Sequence, residues 1–420
     1  MFSIIFVTLQ SIMRLFLKYI LLCLVVMAEP LRLTAQGTDV LLADADSTVA
    51  DSGMIDWGTL KVAVLTCTAG DELYSKFGHT ALLVQRNGDD DGIVFNYGCF
   101  DYNADSFVMS FLLGHTDYIL GVEPYSRFIY RYREMGVGVD EQTLNLSEQE
   151  AERLVHLLEV NLLPENQVYR YNWLYNNCTE KARDIVEMAV RGKVTYEREE
   201  TDITVREMLR QCLEDAPWES FGIDLILGEE IDKPTDRRVQ MFLPAFYMAE
   251  ADKAMKQNAP LVKGKRQIMQ AQNIAEAPSF WISPTFVFIA LFVAICIISV
   301  CEHRRWRNWA GFDAFLHILQ GLAGVLVSFL FFCSEHPAVD SNWLVIIFNP
   351  IPLFYAGWLL YCKRTKRDNI LAYVNLCVLV GFFITMFVCR QSFNIAMYFI
   401  VLSLMMRAFA QSCNTYRRIR

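Results

Sequence analysis

A histidine and a cysteine in this chain occupy positions that suit a thiol nucleophile and its base. His79 follows a glycine at the start of a predicted strand, and Cys178 follows Asn176-Asn177 at the start of a predicted helix. Asparagine is a favoured N-cap, and a helix N-terminus with an imidazole nearby lowers the pKa of a thiol. The pattern therefore predicts covalent catalysis by Cys178 with His79 as its base.

A third polar side chain often orients such a histidine. Asn96, on the next predicted strand, is the first candidate for this role and Tyr97 is the second. Tyr97 and Asn177 are also predicted substrate contacts. A structural interpretation stays open, because an isolated cysteine near a helix start is usually a small buried residue.

The elements that would position these residues indicate an α+β domain. Strands are predicted at Leu60–Thr66, His79–Gln85, Ile93–Tyr97, Tyr118–Val122 and Val137–Leu144. Ser147 and Glu150 form a capping box that opens a helix through about Asn161, and a second helix begins near Cys178. The pair would then lie at a strand start and a helix start.

Composition and motifs exclude several classes of function. The net charge of −9 gives no basic face for nucleic acid. The chain has no Cys-x-x-Cys, His-Glu-x-x-His, Walker or dinucleotide motif, so we expect neither a metal nor a cofactor. Four cysteines in the predicted soluble part are too few for a disulfide scaffold, although a Cys67–Cys99 bridge stays open.

The N-terminus is typical of an export signal. Arg14 and Lys18 precede the apolar stretch 19–27, so residues 1–35 are predicted to be a signal peptide, with a possible start at Met13. An uncleaved anchor helix is the alternative. Residues 36–55 are polar and acidic and are predicted to be a linker. Both alternatives place the domain at 56–278 outside the cytoplasm.

The last third of the chain contains five hydrophobic segments, each close to the roughly 20 residues that span a bilayer. They are Phe280–Cys301, Phe312–Cys333, Trp343–Cys362, Ile370–Val388 and Phe393–Ala410. Arginines and lysines cluster after the first and third segments and at the C-terminus, which makes these connections cytoplasmic. Residues 279–412 are thus a predicted membrane domain of five helices, and residues 413–420 a cytoplasmic tail. Lys263, Lys265 and Arg266, on the outer side, do not fit this rule.

The outward loop between the second and third segments is polar. It contains His336 and Asn342, which are predicted substrate or head-group contacts on the same side of the membrane as Cys178. A solvated loop is the alternative. Asn349-Pro350-Ile351-Pro352 should break the third span, since irregular backbone at membrane depth usually lines a cavity.

Several motifs resemble the Lnb-type lipoprotein N-acyltransferase family. The resemblance is carried by the run 65–81 (LTCTAGDELYSKFGHTA), by 94–98 (VFNYG), by 176–179 (NNCT), by 241–244 (MFLP) and by the membrane loop with His336-Pro337 and Asn349-Pro350. Ala69 departs from the pattern, because similar proteins tend to have proline there. The order of histidine, polar residue and cysteine also resembles the circularly permuted NlpC/papain-like fold, which the lecithin:retinol acyltransferase family shares.

The resemblance implies a multi-pass enzyme of the bacterial inner membrane with its catalytic domain in the periplasm. It implies transfer of an acyl chain from a phospholipid donor to the N-terminal amine of a diacylglyceryl lipoprotein, through a thioester on Cys178. Two alternatives stay open. One is a membrane-tethered cysteine peptidase or amidase of cell-wall peptides, and the other is a non-enzymatic membrane assembly protein.

Overall fold

The structure is a computed structural model that describes residues 60–86, 88–89, 91–100, 107–196, 202–272, 279–305 and 308–419. The predicted signal peptide (1–35) and linker (36–55) lie outside these residues. The described chain consists of an N-terminal α+β domain followed by a helical region, as the sequence predicts.

The N-terminal domain is built around an antiparallel sheet. The strands are Leu60–Cys67 (β1), His79–Arg86 (β2), Ile93–Cys99 (β3), Asp117–Pro124 (β4), Val139–Leu144 (β5), Val168–Arg170 (β6), Val194–Thr195 (β7), Met255–Lys256 (β8), Ala259–Pro260 (β9) and Val262–Met269 (β10). Seven of them pair in the order β10-β5-β1-β2-β3-β4-β6, and β7-β8-β9 form a small second sheet. The five predicted strands are confirmed. The prediction lacks the edge strand β10, which is mostly exposed and so has no alternating apolar pattern.

The N-terminal domain also contains several helices. They are Phe107–Leu113 (α1), Tyr125–Glu134 (α2), Glu148–Leu162 (α3), Pro164–Gln167 (α4), Cys178–Ala189 (α5), Val205–Cys212 (α6), Pro217–Ile226 (α7), Arg237–Gln240 (α8) and Pro244–Lys253 (α9). The predicted capping box of Ser147 and Glu150 is present at the start of α3. The predicted helix at Cys178 is present as α5.

Successive residues of a strand point to opposite faces of a sheet, and the two faces here have separate cores. Leu82 and Val84 of β2 belong to the core beneath α3, α5 and α9. Ala81 and Leu83 of the same strand belong to the core beneath α2. Even-numbered side chains of β2 therefore face α5, and odd-numbered side chains face α2.

The helical region contains Pro284–Arg305 (α10), Ala310–Cys333 (α11), Ile351–Thr365 (α12), Leu371–Thr385 (α13) and Ile395–Ile419 (α14). Four helical segments in the described chain are long and apolar enough to cross a membrane, and the third of them combines the 3-10 turn Trp343–Ile346 with α12. The break predicted at 349–352 is thus confirmed. The fourth predicted span is shorter than expected, because α13 has only 15 residues.

Buried charges join the helices of this region. Arg407 of α14 donates to Glu302 of α10 at 2.6 Å and to Asp313 of α11 at 2.7 Å, and all three side chains are about 1% exposed. Charged groups buried in a membrane protein are costly unless they are paired. The network therefore fixes α10, α11 and α14 against one another.

Candidate active site

Cys178 is the first residue of α5, directly after the residue that caps the helix. Asn177 caps the helix, and its side-chain oxygen accepts from the N–H groups of Thr179 at 2.9 Å and Glu180 at 3.1 Å. In the described part of the chain, no acceptor takes the N–H of Cys178. The thiol therefore lies beside an unused donor at the positive end of the helix dipole.

His79 is oriented from two sides. Its Nε2 lies 2.6 Å from Oδ1 of Asn96. Because this oxygen can only accept, Nε2 carries the hydrogen and Nδ1 is left for the thiol. The imidazole also lies nearly parallel to the ring of Tyr132, with 6.5 Å between centroids and 14° between planes. The structure thus brings Cys178, His79 and Asn96 together.

The histidine and the cysteine reach each other from opposite faces of the sheet. His79 packs with Tyr132 on the α2 side, whereas Cys178 packs against the core beneath α3 and α5. They meet at Gly98, where the pairing of β3 with β4 shifts register and φ is +99°. A Cβ built on Gly98 would lie 3.7 Å from both Cys178 Cβ and His79 Cε1, so a longer side chain would fill this gap. Glycine also tolerates the positive φ.

The surroundings of the thiol favour its charged form. Burial raises the pKa of Cys178. The positive charge of His79, its hydrogen bond, the N–H of Thr80 and the hydroxyl of Thr179 together outweigh burial and lower that pKa to about 7. Burial lowers the pKa of His79, yet the Cys178 thiolate and the bond to Asn96 raise it above its ordinary value. An imidazolium–thiolate pair is therefore favoured near neutral pH, and the thiolate is the nucleophilic form.

Three tyrosines that are not among the predicted site residues interact electrostatically with the Cys178 thiolate. Tyr118 stacks on Tyr171 with 4.1 Å between centroids, and Tyr169 meets Tyr118 edge-on at 6.4 Å. Burial raises the pKa of each phenol, and the charge of Cys178 raises it further. The Tyr169 hydroxyl is buried and has no hydrogen-bond partner among the described residues. The spacing of Tyr169 and Tyr171 on alternate positions before Cys178 was the available signal.

Tyr97 and Asn177, two of the predicted substrate contacts, are already bonded within the protein. Tyr97 faces away from His79 into the core and accepts a hydrogen bond from Asn161 at 2.7 Å. The amide nitrogen of Asn177 donates to the carbonyl groups of Trp173 and Phe242, both at 2.9 Å. Tyr97 is thus a core residue and Asn177 is a helix cap. The contact of these two residues with substrate stays a prediction. Cys67 and Cys99 are free thiols rather than a bridge.

His336 and Asn342, the other two predicted contacts, lie where the two domains meet. Nε2 of His336 donates to the carbonyl oxygen of Phe111 in α1. Asn342 is buried, accepts from the N–H of Leu344 and from Gln391, both at 3.0 Å, and donates to the carbonyl oxygen of Leu225 at 2.8 Å. Both residues therefore bind protein groups here, and a role toward substrate stays a prediction.

A buried ion network on α6 and α7 also reaches the membrane domain. Arg206 is 1% exposed and donates to Asp232 at 2.8 Å and to Asp224 at 2.9 Å. Arg210 donates to the second oxygen of Asp224 at 3.0 Å and to the carbonyl oxygen of Ser392, which follows α13. The residues after Thr385 thus leave the helix to bond with the N-terminal domain. These contacts hold the domain that carries Cys178 at a fixed position on the membrane helices.

Fold and site together define a multi-pass membrane protein with a cysteine–histidine pair in its N-terminal α+β domain. The Lnb N-terminal periplasmic domain model matches residues 52–211, and the Lnb transmembrane domain model matches residues 275–419. The two matches cover most of the chain, which therefore belongs to the Lnb family. No curated protein and no solved structure gives a significant match.

Proposed function

We propose that this chain is a cysteine-dependent acyltransferase that moves an acyl chain from a phospholipid to the N-terminal cysteine amine of diacylglyceryl lipoproteins. The observation that carries the proposal is the Cys178–His79–Asn96 arrangement in a domain joined to the membrane domain by hydrogen bonds of Asn342 and Gln391. A thiolate held at a bilayer surface has lipid esters within reach. Membership in the Lnb family supports the same function.

The first step forms a thioester. The Cys178 thiolate attacks the acyl carbonyl of the phospholipid, so a carbon–sulfur bond forms and the ester carbon–oxygen bond breaks. The His79 imidazolium donates its proton to the departing glycerol oxygen, which releases a lysophospholipid. His79 is then neutral, because Asn96 keeps a hydrogen on Nε2 and Nδ1 has lost its proton.

Two donors are placed to stabilise the negative oxygen of the tetrahedral intermediate. The first is the backbone N–H of Cys178, which has no acceptor among the described residues. The second is the Tyr169 hydroxyl, which is buried without a hydrogen-bond partner among the described residues and whose pKa is raised by the charge of Cys178. Preorganised donors of this kind typically contribute about 10²- to 10³-fold in rate.

The second step transfers the acyl group to the lipoprotein. The neutral imidazole of His79 takes a proton from the attacking α-amine, while a carbon–nitrogen bond forms and the carbon–sulfur bond breaks. The products are an amide and the original Cys178 thiolate. The mechanism needs no metal or diffusible cofactor. The membrane domain contributes by holding two lipidated substrates beside one thiol, which is an effect of proximity.

We place the protein in the inner membrane, with the catalytic domain in the periplasm. The description of the N-terminal family model supports the periplasmic side. The helix ends support it too, since Arg304 and Arg305 end α10, and Lys363 and Arg364 lie at the end of α12. Basic residues concentrate on the cytoplasmic side, which leaves the N-terminal domain outside.

The test is the replacement Cys178→Ser in cells whose only copy of the protein is the variant. Mass spectrometry of lipoprotein N-terminal peptides should show loss of the amide-linked acyl chain. Cys212→Ser is the matched control, because burial raises the pKa of this thiol on α6 to about 11 and it lies outside the site. Persistence of the amide-linked chain with Cys178→Ser would refute the proposal.

An intact-mass measurement separates the proposed enzyme from a hydrolase. Purified protein mixed with phospholipid should gain the mass of one acyl chain on Cys178, and an amine acceptor should remove it. Release of free fatty acid with no amide product would instead indicate transfer to water. Full activity of Cys178→Ala would indicate a non-enzymatic assembly protein.

A further inference from the structure

Two buried threonines join the strand that carries His79 to the helix that carries Cys178. Thr80 directly follows His79 and Thr179 directly follows Cys178 in the sequence. Both threonines are 0% exposed, and their hydroxyl oxygens lie 3.1 Å apart. We propose that this hydroxyl pair sets the position of the Cys178 thiol relative to His79 and so controls its reactivity. The inference rests on the proposed function only in taking Cys178 as the nucleophile.

The positions of the two threonines follow from the geometry of the sheet. Because neighbouring strand residues point to opposite faces, Thr80 faces α5 while His79 faces α2. The thiol must therefore be fixed from the α5 side, since the histidine approaches from the other side. The hydrogen bond between the residues that directly follow the pair provides a link on that side. Thr80 and Thr179 are thus positioning residues.

The direction of the hydrogen bonds also favours the thiolate. Oγ1 of Thr179 lies 3.9 Å from the sulfur of Cys178. Each hydroxyl has one proton to donate. If Thr179 directs its proton toward a negative sulfur, it must accept from Thr80, and the 3.1 Å contact allows this. The pairing of β2 with β3 begins only at Leu82, so β3 does not take the N–H of Thr80. This N–H donates instead to the sulfur of Cys178.

A matched control lies directly across the ladder. Thr66 of β1 is the register partner of Thr80 and is 4% exposed. Its hydroxyl is buried without a hydrogen-bond partner among the described residues. Valine has nearly the shape of threonine and no polar group to satisfy, so Thr66→Val should leave the site unchanged. The same change at Thr80 or Thr179 removes one end of the hydroxyl pair.

The experiment uses full-length protein in detergent micelles. The rate of carboxamidomethylation of Cys178 is measured against pH, with peptide mass spectrometry to separate it from the other cysteines. We expect Thr80→Val and Thr179→Val to raise the midpoint of this profile by about half to one pH unit. Single-turnover acylation at neutral pH should fall about tenfold, because the thiol is also displaced. Thr179→Ser keeps the hydroxyl and should restore the wild-type midpoint.

Folded valine variants with an unchanged midpoint would overturn the inference, and so would an equal shift in Thr66→Val. If a valine variant does not fold, Thr179→Ser and Thr179→Ala carry the test, since the hydroxyl is the difference between them. Equal midpoints in that pair would also overturn it. Alkylation requires no lipid, so the two proposals fail separately. A shifted midpoint in a protein that never forms an acyl adduct would refute acyl transfer and leave the role of the threonines intact.

Discussion

Replacing Asn96 should change the charge of the catalytic pair in a direction that depends on the replacement. Asn96 is 6% exposed, and its oxygen lies 2.6 Å from Nε2 of His79. This bond helps to raise the pKa of His79, and the charged His79 in turn lowers the pKa of Cys178. Asn96→Ala should therefore raise the pKa of the thiol. Asn96→Asp, which keeps an acceptor and adds negative charge, should lower it.

The magnitude follows from the strength of a hydrogen bond to a charged group. Such a bond contributes about 1.5–3 kcal/mol, which corresponds to about one to two pKa units. We take the lower end, because water can enter the space that alanine leaves. The pKa of Cys178 should then move from about 7 to roughly 8. At pH 7 the thiolate fraction would fall from about one half to about one tenth.

The assay is the pH profile of Cys178 alkylation, read by peptide mass spectrometry. Asn161→Ala is the control, because Asn161 bonds with Tyr97 on the opposite face of β3 and does not contact His79. The control profile should match that of the wild type. If the alanine and aspartate variants move the midpoint in the same direction, or leave it unchanged, then Asn96 does not set the charge of His79.

Further predictions concern the pH profile, the oxyanion and the domain interface. In the wild type, alkylation of Cys178 should be half-maximal near pH 7, because its pKa is lowered to about 7; a midpoint near 9 would contradict the ion pair. Tyr169→Phe should slow acyl-adduct formation about 10- to 100-fold in single-turnover mass spectrometry while leaving the alkylation midpoint unchanged. Arg206→Met should destabilise the protein by about 3–5 kcal/mol in thermal unfolding, since it leaves two buried carboxylates without their main partner. Arg210→Ala should cost about 1 kcal/mol, because Arg210 is partly exposed.

The sequence predicted most of the elements that form the site. Alternating apolar residues and the Ser147 capping box gave the central strands and α3. The Asn176-Asn177 pair gave the start of α5, where Asn177 does cap the helix. These signals are local, because a cap or a strand pattern is set by residues a few positions apart.

The predicted substrate contacts show what local sequence patterns do not predict, namely burial and hydrogen-bond partners. The prediction for Tyr97 and Asn342 depends on their neighbours in the sequence, yet both side chains are buried and bonded within the protein. Tyr169 is not among the predicted site residues. Its alternate spacing with Tyr171 does not show that its hydroxyl is buried without a hydrogen-bond partner among the described residues. The sequence does not predict the network of Arg206 with Asp224 and Asp232 either, because charged residues on short helices are usually solvated.

By itself, the sequence determined the kinds of element, the membrane segments and the candidate nucleophile and base. The tertiary structure decided that His79 and Cys178 approach from opposite faces of one sheet and meet at Gly98. It also decided that the domain is fixed to the membrane helices through Asn342 and Arg210. The physical reason is that a thiol pKa depends on burial and on charges a few ångströms away, and folding brings together residues 99 positions apart, such as Thr80 and Thr179.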